Sequence, residues 1–151
     1  MAQYSIHDIA NWFLTKERMS QKKLQKLCYY AVAWGYALLK RAISSDDEFQ
    51  AWVHGPVSPI LYEKYRGSGW VELKPEKNYI DSFDNVTTEL LESIWITYRE
   101  QTGNSLEALT HSELPWIKAR GNCGQEDRCT TRIDTQDMQD YYLSIYTGGD
   151  A

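Results

Sequence analysis

Cysteine is scarce in this chain: three residues of 151, Cys28, Cys123 and Cys129, an odd number without framework spacing. That excludes a disulfide scaffold and points to a reducing compartment, with the cytoplasm as the default. Long apolar runs are scarce too. The uncharged stretch Leu27–Leu39 has thirteen residues, enough for a buried helix and short of the roughly 20 that a bilayer-spanning helix needs. Met1 to Leu14 has no basic n-region and no small-residue cleavage site, and it carries Asp8, so no signal peptide is expected. There is no G-x-G-x-x-G or Walker spacing, no G-x-S-x-G elbow, no repeat and no low-complexity segment. Nucleotide-dependent and serine-hydrolase chemistry therefore has no anchor.

Aromatic surface is abundant. Six Trp, 11 Tyr and 3 Phe sit within a chain that is 42% hydrophobic and 25% charged, which excludes a disordered or fibrous protein. A chain of this length buries roughly 68–70% of its unfolded surface, enough for one core without metal or disulfides. The net charge of −5 is uneven: residues 1–75 hold ten Lys/Arg against seven Asp/Glu, and residues 76–151 hold six against fourteen. A two-faced surface follows.

Hydrophobic periodicity and caps divide the chain into helices. Ser5 with Asp8 forms a capping box for a helix over 6–17. Ser20 opens the strongest segment, with Leu24, Leu27, Cys28, Ala31, Trp34, Gly35 and Leu38 on one face and Lys22, Lys23 and Lys26 on the polar side, running to Lys40 or Arg41. Alternation over 48–54 predicts a strand ended by Gly55-Pro56, and Ser58-Pro59 starts a short helix that closes on Gly67. Trp70-Val71-Glu72-Leu73 reads as a second strand. Asp84 or Asn85 caps a helix with Val86, Leu90, Leu91, Ile94, Trp95 and Tyr98 inward and Gly103 as its stop. Asn104-Ser105 restarts a brief helix, Pro115 begins another turn that Gly121 ends, and Asp134 or Thr135 caps a final helix with Met138, Tyr141, Tyr142 and Ile145 inward. The fold class expected is mainly α, α+β: one domain over 1–151, about six helices packed around a small antiparallel sheet formed near 48–54 and 70–74.

Four groups of residues carry candidate chemistry. Cys123, Cys129 and His111 could ligate zinc, but four ligands and a C-x₂₋₄-C pairing are absent, so no metal is expected. His111 with Glu113 could serve a nucleophile, yet no nucleophile signature accompanies them, and neither catalysis nor a cofactor is expected. Lys16, Arg18, Lys22, Lys23 and Lys26 could neutralise phosphates, although the acidic balance and pI of about 5.2 argue against nucleic acid as the main partner. Trp52, His54, Pro56, Val57 and Tyr62 crowd a strand-to-helix corner with more aromatic surface than a turn requires, which favours a protein-binding patch.

Three blocks bear a family resemblance. Met19 to Trp34 (MSQKKLQKLCYYAVAW), Phe49 to Tyr62 (FQAWVHGPVSPILY) and Leu109 to Trp116 (LTHSELPW) resemble, in order and spacing, the Panacea (SocA-like) antitoxin domain family, whose members include phage-associated proteins. The likeness extends from Ile9 to Tyr142, and Cys28 stands where the family usually has Leu. It implies a non-enzymatic antitoxin that neutralises a cognate toxin, encoded by an adjacent gene, by direct protein binding. An alternative implied by one relative is an adaptor that delivers the toxin to a protease; another rival is a nucleic-acid-binding accessory protein. Members pair with chemically diverse toxins. Many carry an added DNA-binding segment, which a chain this short is not expected to hold. The partner-binding residues expected are Trp52, His54, Pro56, Tyr62, Lys22 and Lys26.

Overall fold

The segment that follows Ser20 becomes the central helix of the protein. In the computed structural model, which describes residues 4–148, α2 (Gln21–Leu39) is buried on all sides from Leu24 to Ala33. A helix with so broad a buried surface needs neighbours all round. They are α1 (Ile6–Lys16), α3 (Pro59–Tyr65), α4 (Asn85–Tyr98), α5 (Gly103–His111) and α7 (Thr135–Tyr146), together with the second strand of a hairpin. α6 (Leu114–Arg120) packs on α7 and on the first strand of that hairpin. The protein is thus mainly α with a small antiparallel sheet, and seven helices rather than six occupy the described residues. None of them is long and apolar enough to cross a membrane.

Side-chain caps fix the helix starts. Ser5 and Asp8 form the capping box of α1, Ser20 accepts from the Lys23 N–H, Ser58 from Leu61 with Pro59 in the first turn, and Asp84 from Thr87. Each satisfies an amide that the helix itself leaves without a partner. α2 ends at Lys40, whose φ of 59° turns the chain left-handed.

The sheet differs from the expected one. β1 (Gln50–Trp52) pairs antiparallel with β2 (Gly55–Val57) in the register Gln50 to Val57, Ala51 to Pro56 and Trp52 to Gly55. Gly55 therefore turns the chain rather than ending the strand; its φ of +108° is a conformation that favours glycine. The other edge of β1 is covered by 131–133, through Ala51 N–H to Thr131 O and Ile133 N–H to Phe49 O. The segment expected to be the second strand, 70–73, pairs only at Leu73, with Met19. Gly67 and Gly69, at φ +88° and +59°, hold the chain before it in turns and leave Trp70 and Val71 exposed.

Smaller departures have local causes. Gly103 opens α5 under the Thr102 cap instead of stopping α4. Val86 and Ile145, expected inward, are exposed because they lie in terminal turns beyond the packed stretch; Leu38, near the end of α2, is exposed too. Cys123 and Cys129, expected as free thiols, form a disulfide with Cα atoms 6.2 Å apart, while Cys28 is free and buried.

Candidate functional site

A two-stranded ribbon of three residues per strand is not stable alone. Here side chains from three helices grip its backbone. From α6, Arg120 Nη1 donates to Ala51 O at 3.2 Å and Trp116 Nε1 to Trp52 O at 2.9 Å. From α5, His111 Nε2 donates to Val53 O at 2.9 Å. From α2, Lys26 Nζ donates to Pro56 O at 3.2 Å, and Gln25 pairs with both backbone groups of Ser58, accepting from its N–H at 2.8 Å and donating to its O at 3.1 Å. The hairpin is a mounted element, and the mounts other than Arg120 are residues of the first and third sequence blocks.

Charge around the mount is tightly organised. Glu107 of α5 receives Lys22 Nζ at 2.6 Å on one carboxylate oxygen and His54 Nδ1 at 3.0 Å on the other. Burial opposes its ionisation, but the hydrogen bonds and the electrostatic attraction of these two partners together outweigh burial and hold the carboxyl below its ordinary pKa. Lys26 is 2% exposed. Burial pushes its amine down to about 7, with Glu107 opposing the drop and Lys22 adding to it. Burial also lowers His111, whose ring lies 4.1 Å from that of Trp116.

Glu113 serves a different part of the frame. Its Oε1 accepts from Tyr30 Oη at 2.8 Å and Tyr142 Oη at 2.7 Å. Because Tyr142 donates to Glu113, Tyr29 is the donor in the 3.1 Å contact between the two tyrosine hydroxyls. This buried chain ties α7 and the α5–α6 junction to α2. His111 and Glu113 thus face separate partners and form no dyad, although they are two residues apart.

Outward from the mount lies a groove. The Trp52 and Tyr62 rings meet edge to face at 4.9 Å, and Trp52, His54, Val57 and Tyr62 line two adjoining depressions of about 440 and 400 Å³. The first extends to Glu126, Arg128, Cys129 and Thr130; the second extends to Gln21, Lys22, Gln25, Lys26, Gly69 and Trp70. Trp70 is 83% exposed, unusual for the largest apolar side chain. An aromatic trough with a charged rim is the anatomy of a protein-docking surface.

Residues 24–117 match the family of the SocA-like antitoxin, Panacea domain. The chain belongs to that family. No curated protein and no solved structure matches it.

Within this Panacea domain, the expected site residues separate into two groups. Trp52, His54 and Tyr62 reach the groove, and Lys22 stands on its rim, paired with Glu107. Pro56 and Lys26 are buried. Pro56 contributes a carbonyl to the mount, and Lys26 leaves the polar side of its helix because the hairpin lies over it. Trp70 was missed. Its signal was a Trp set directly after the turn residues Gly67-Ser68-Gly69, in a segment of only four residues before Lys74-Pro75. Arg120, which holds the loop carbonyls of Gly124, Gln125 and Asp127 as well as Ala51, carried no local signal. The basic patch is largely neutralised: Lys16 pairs with Glu92, Lys22 with Glu107 and Lys23 with Glu17, Lys26 is buried, and Arg18 remains.

Proposed function

We propose that this protein is a cytoplasmic, non-catalytic antitoxin that neutralises the toxin encoded beside it by seating part of that toxin in the groove between Trp52, Tyr62 and Trp70. The family supports the antitoxin role. The observation that carries the binding site is the exposure of Trp70 opposite the Trp52–Tyr62 pair. Exposed aromatics around a concave surface have the character of interface hot spots, each worth about 2 kcal/mol or more on truncation. In a reducing compartment Cys123 and Cys129 are kept as thiols, and Arg120 holds their loop without the bond.

Co-expression with the product of the neighbouring gene tests the reading. The wild-type chain should rescue growth and co-purify as a stoichiometric complex, while Trp70→Ala and Tyr62→Ala weaken binding about 30-fold or more with unchanged melting temperature. Toxin that persists at constant level during rescue fits occlusion rather than delivery to a protease. A wild-type chain that neither binds nor rescues ends the antitoxin reading. Full binding by both variants would move the interface elsewhere.

A further inference from the structure

Lys26 has an unusual position: nearly inaccessible, bordering the groove, and without a counter-ion. Its amine donates one hydrogen bond, to Pro56 O at 3.2 Å. No carboxylate of the described residues forms an ion pair with it. Both oxygens of Glu107, the carboxylate that acts on it electrostatically, are already occupied, one by Lys22 and the other by His54. A buried ammonium in this state is costly, and it is relieved by loss of its proton or by an anion that joins it.

The surroundings are shaped for the amine. A side chain at Gly55 would place its Cβ 2.7 Å from Lys26 Cε and 3.3 Å from Nζ, so the glycine turn is what lets the lysine terminus lie beneath the hairpin. The groove is also short of negative charge. Lys26 and Arg128 line it against Glu126, with Glu107 held by Lys22. The two depressions run into one another through the residues they share. Lys26 lines the second of them, so an extended occupant that fills both depressions offers it a side-chain carboxylate rather than a chain terminus.

We propose that Lys26 receives the carboxylate of an Asp or Glu side chain on the bound protein segment, flanked by apolar residues that pack on Trp52, Tyr62 and Trp70. The assignment deepens the toxin-binding reading and rests on it. The bound carboxylate supplies the counter-ion the fold omits, and burial from water strengthens the pair.

The probe that tests this is a random dodecapeptide library, displayed on phage with no free C-terminus, selected against the immobilised full chain. Wild-type protein should enrich sequences with an acidic residue next to Trp, Phe or Leu. Lys26→Met should keep the apolar preference and lose the acidic one. With the strongest peptide made synthetically and amidated, changing its acid to the amide should weaken binding at least 10-fold to wild type and less than 2-fold to Lys26→Met. Absence of acidic enrichment, or equal losses in the two proteins, overturns the proposal. If Lys26→Met does not fold, the peptide substitution on wild type alone decides, a loss under 3-fold overturning it. Because no toxin is involved, a failed selection refutes the carboxylate site, whereas a toxin that does not bind refutes the antitoxin reading.

Discussion

Replacing Gly55 by alanine should reveal how the hairpin and Lys26 depend on one another. At φ +108° an L side chain is strained, by about 1–2 kcal/mol. The new Cβ would also stand 2.7 Å from Lys26 Cε and 3.0 Å from Thr110 Oγ1, so the lysine terminus must move. Its hydrogen bond to Pro56 O is then lost, which adds about 1–2 kcal/mol. The expected total is about 2–4 kcal/mol, seen in urea unfolding as a midpoint lowered by about 1–2 M. The steric part is separable with a double-mutant cycle. In a Lys26→Ala background the Cβ finds room, and Gly55→Ala should cost about 1–2 kcal/mol less than in wild type. If the penalty is the same in both backgrounds, or under about 1 kcal/mol in wild type, the glycine is not there to admit the lysine, and the packing argument fails.

Two further perturbations address other parts of the frame. Burial raises the Glu113 carboxyl above its ordinary 4.5, against the two tyrosine hydrogen bonds that lower it. A carboxyl whose folded pKa is raised stabilises the protein most below the unfolded value, and that contribution is lost as pH climbs from about 4.5 through the raised pKa. Glu113→Gln keeps an oxygen for Tyr30 and Tyr142, so the stability difference between variant and wild type should move in the variant's favour from pH 4 to 8; a difference flat with pH would refute the shift. The Cys123–Cys129 bond closes a loop with a sequence separation of 6, for which chain entropy gives about 2 kcal/mol. Dithiothreitol should lower stability by that amount and change partner affinity less than about 3-fold, because Arg120 keeps the loop carbonyls in place; a larger loss of binding would make the bond part of the binding surface.

What the sequence disclosed and what it hid follow the range of the forces involved. Caps act within three residues, so Ser5, Ser20, Ser58, Asp84 and Asp134 marked their helices correctly. The buried face of α2 was visible for the same reason, since its period needs only its own residues. The hairpin was hidden because its hydrogen-bond partners lie far along the chain: His111 is 58 residues from Val53, Trp116 64 from Trp52 and Arg120 69 from Ala51. Gly55-Pro56 reads locally as a stop, and only those distant anchors make it a turn into β2. Lys26 was misplaced for a related reason. Its position 4 residues before the buried Tyr30 hints at an inward stripe, but charge alone argues for solvent, and only the hairpin above it decides the matter. The aromatic corner, by contrast, was legible in Trp52, His54 and Tyr62, because excess apolar surface beside a turn is a compositional signal.

The residues that mount the hairpin and the two outermost residues of the groove divide the labour in a way that bears on partner choice. Gln25, Lys26, Gly55, Pro56, Ser58, His111, Glu113 and Trp116 belong to the blocks, and all but Glu113 hold or shape the hairpin; Glu113 fixes the helices beneath it. Trp70 and Arg128, at opposite ends of the groove, lie outside every block. A frame whose hydrogen bonds do not run through Trp70 or Arg128 can take other side chains there without refolding. Alanine at Trp70 and Arg128 together should then leave unfolding free energy within about 0.5 kcal/mol of wild type while binding collapses. Alanine at Trp116, which strips an indole from between His111 and Arg120 and leaves Trp52 O without its donor, should cost about 3 kcal/mol or more. Denaturant unfolding of the two variants side by side checks the division: a loss above about 1.5 kcal/mol from the Trp70/Arg128 pair would mean that the walls are part of the frame, and that partner choice cannot be exchanged independently of the fold.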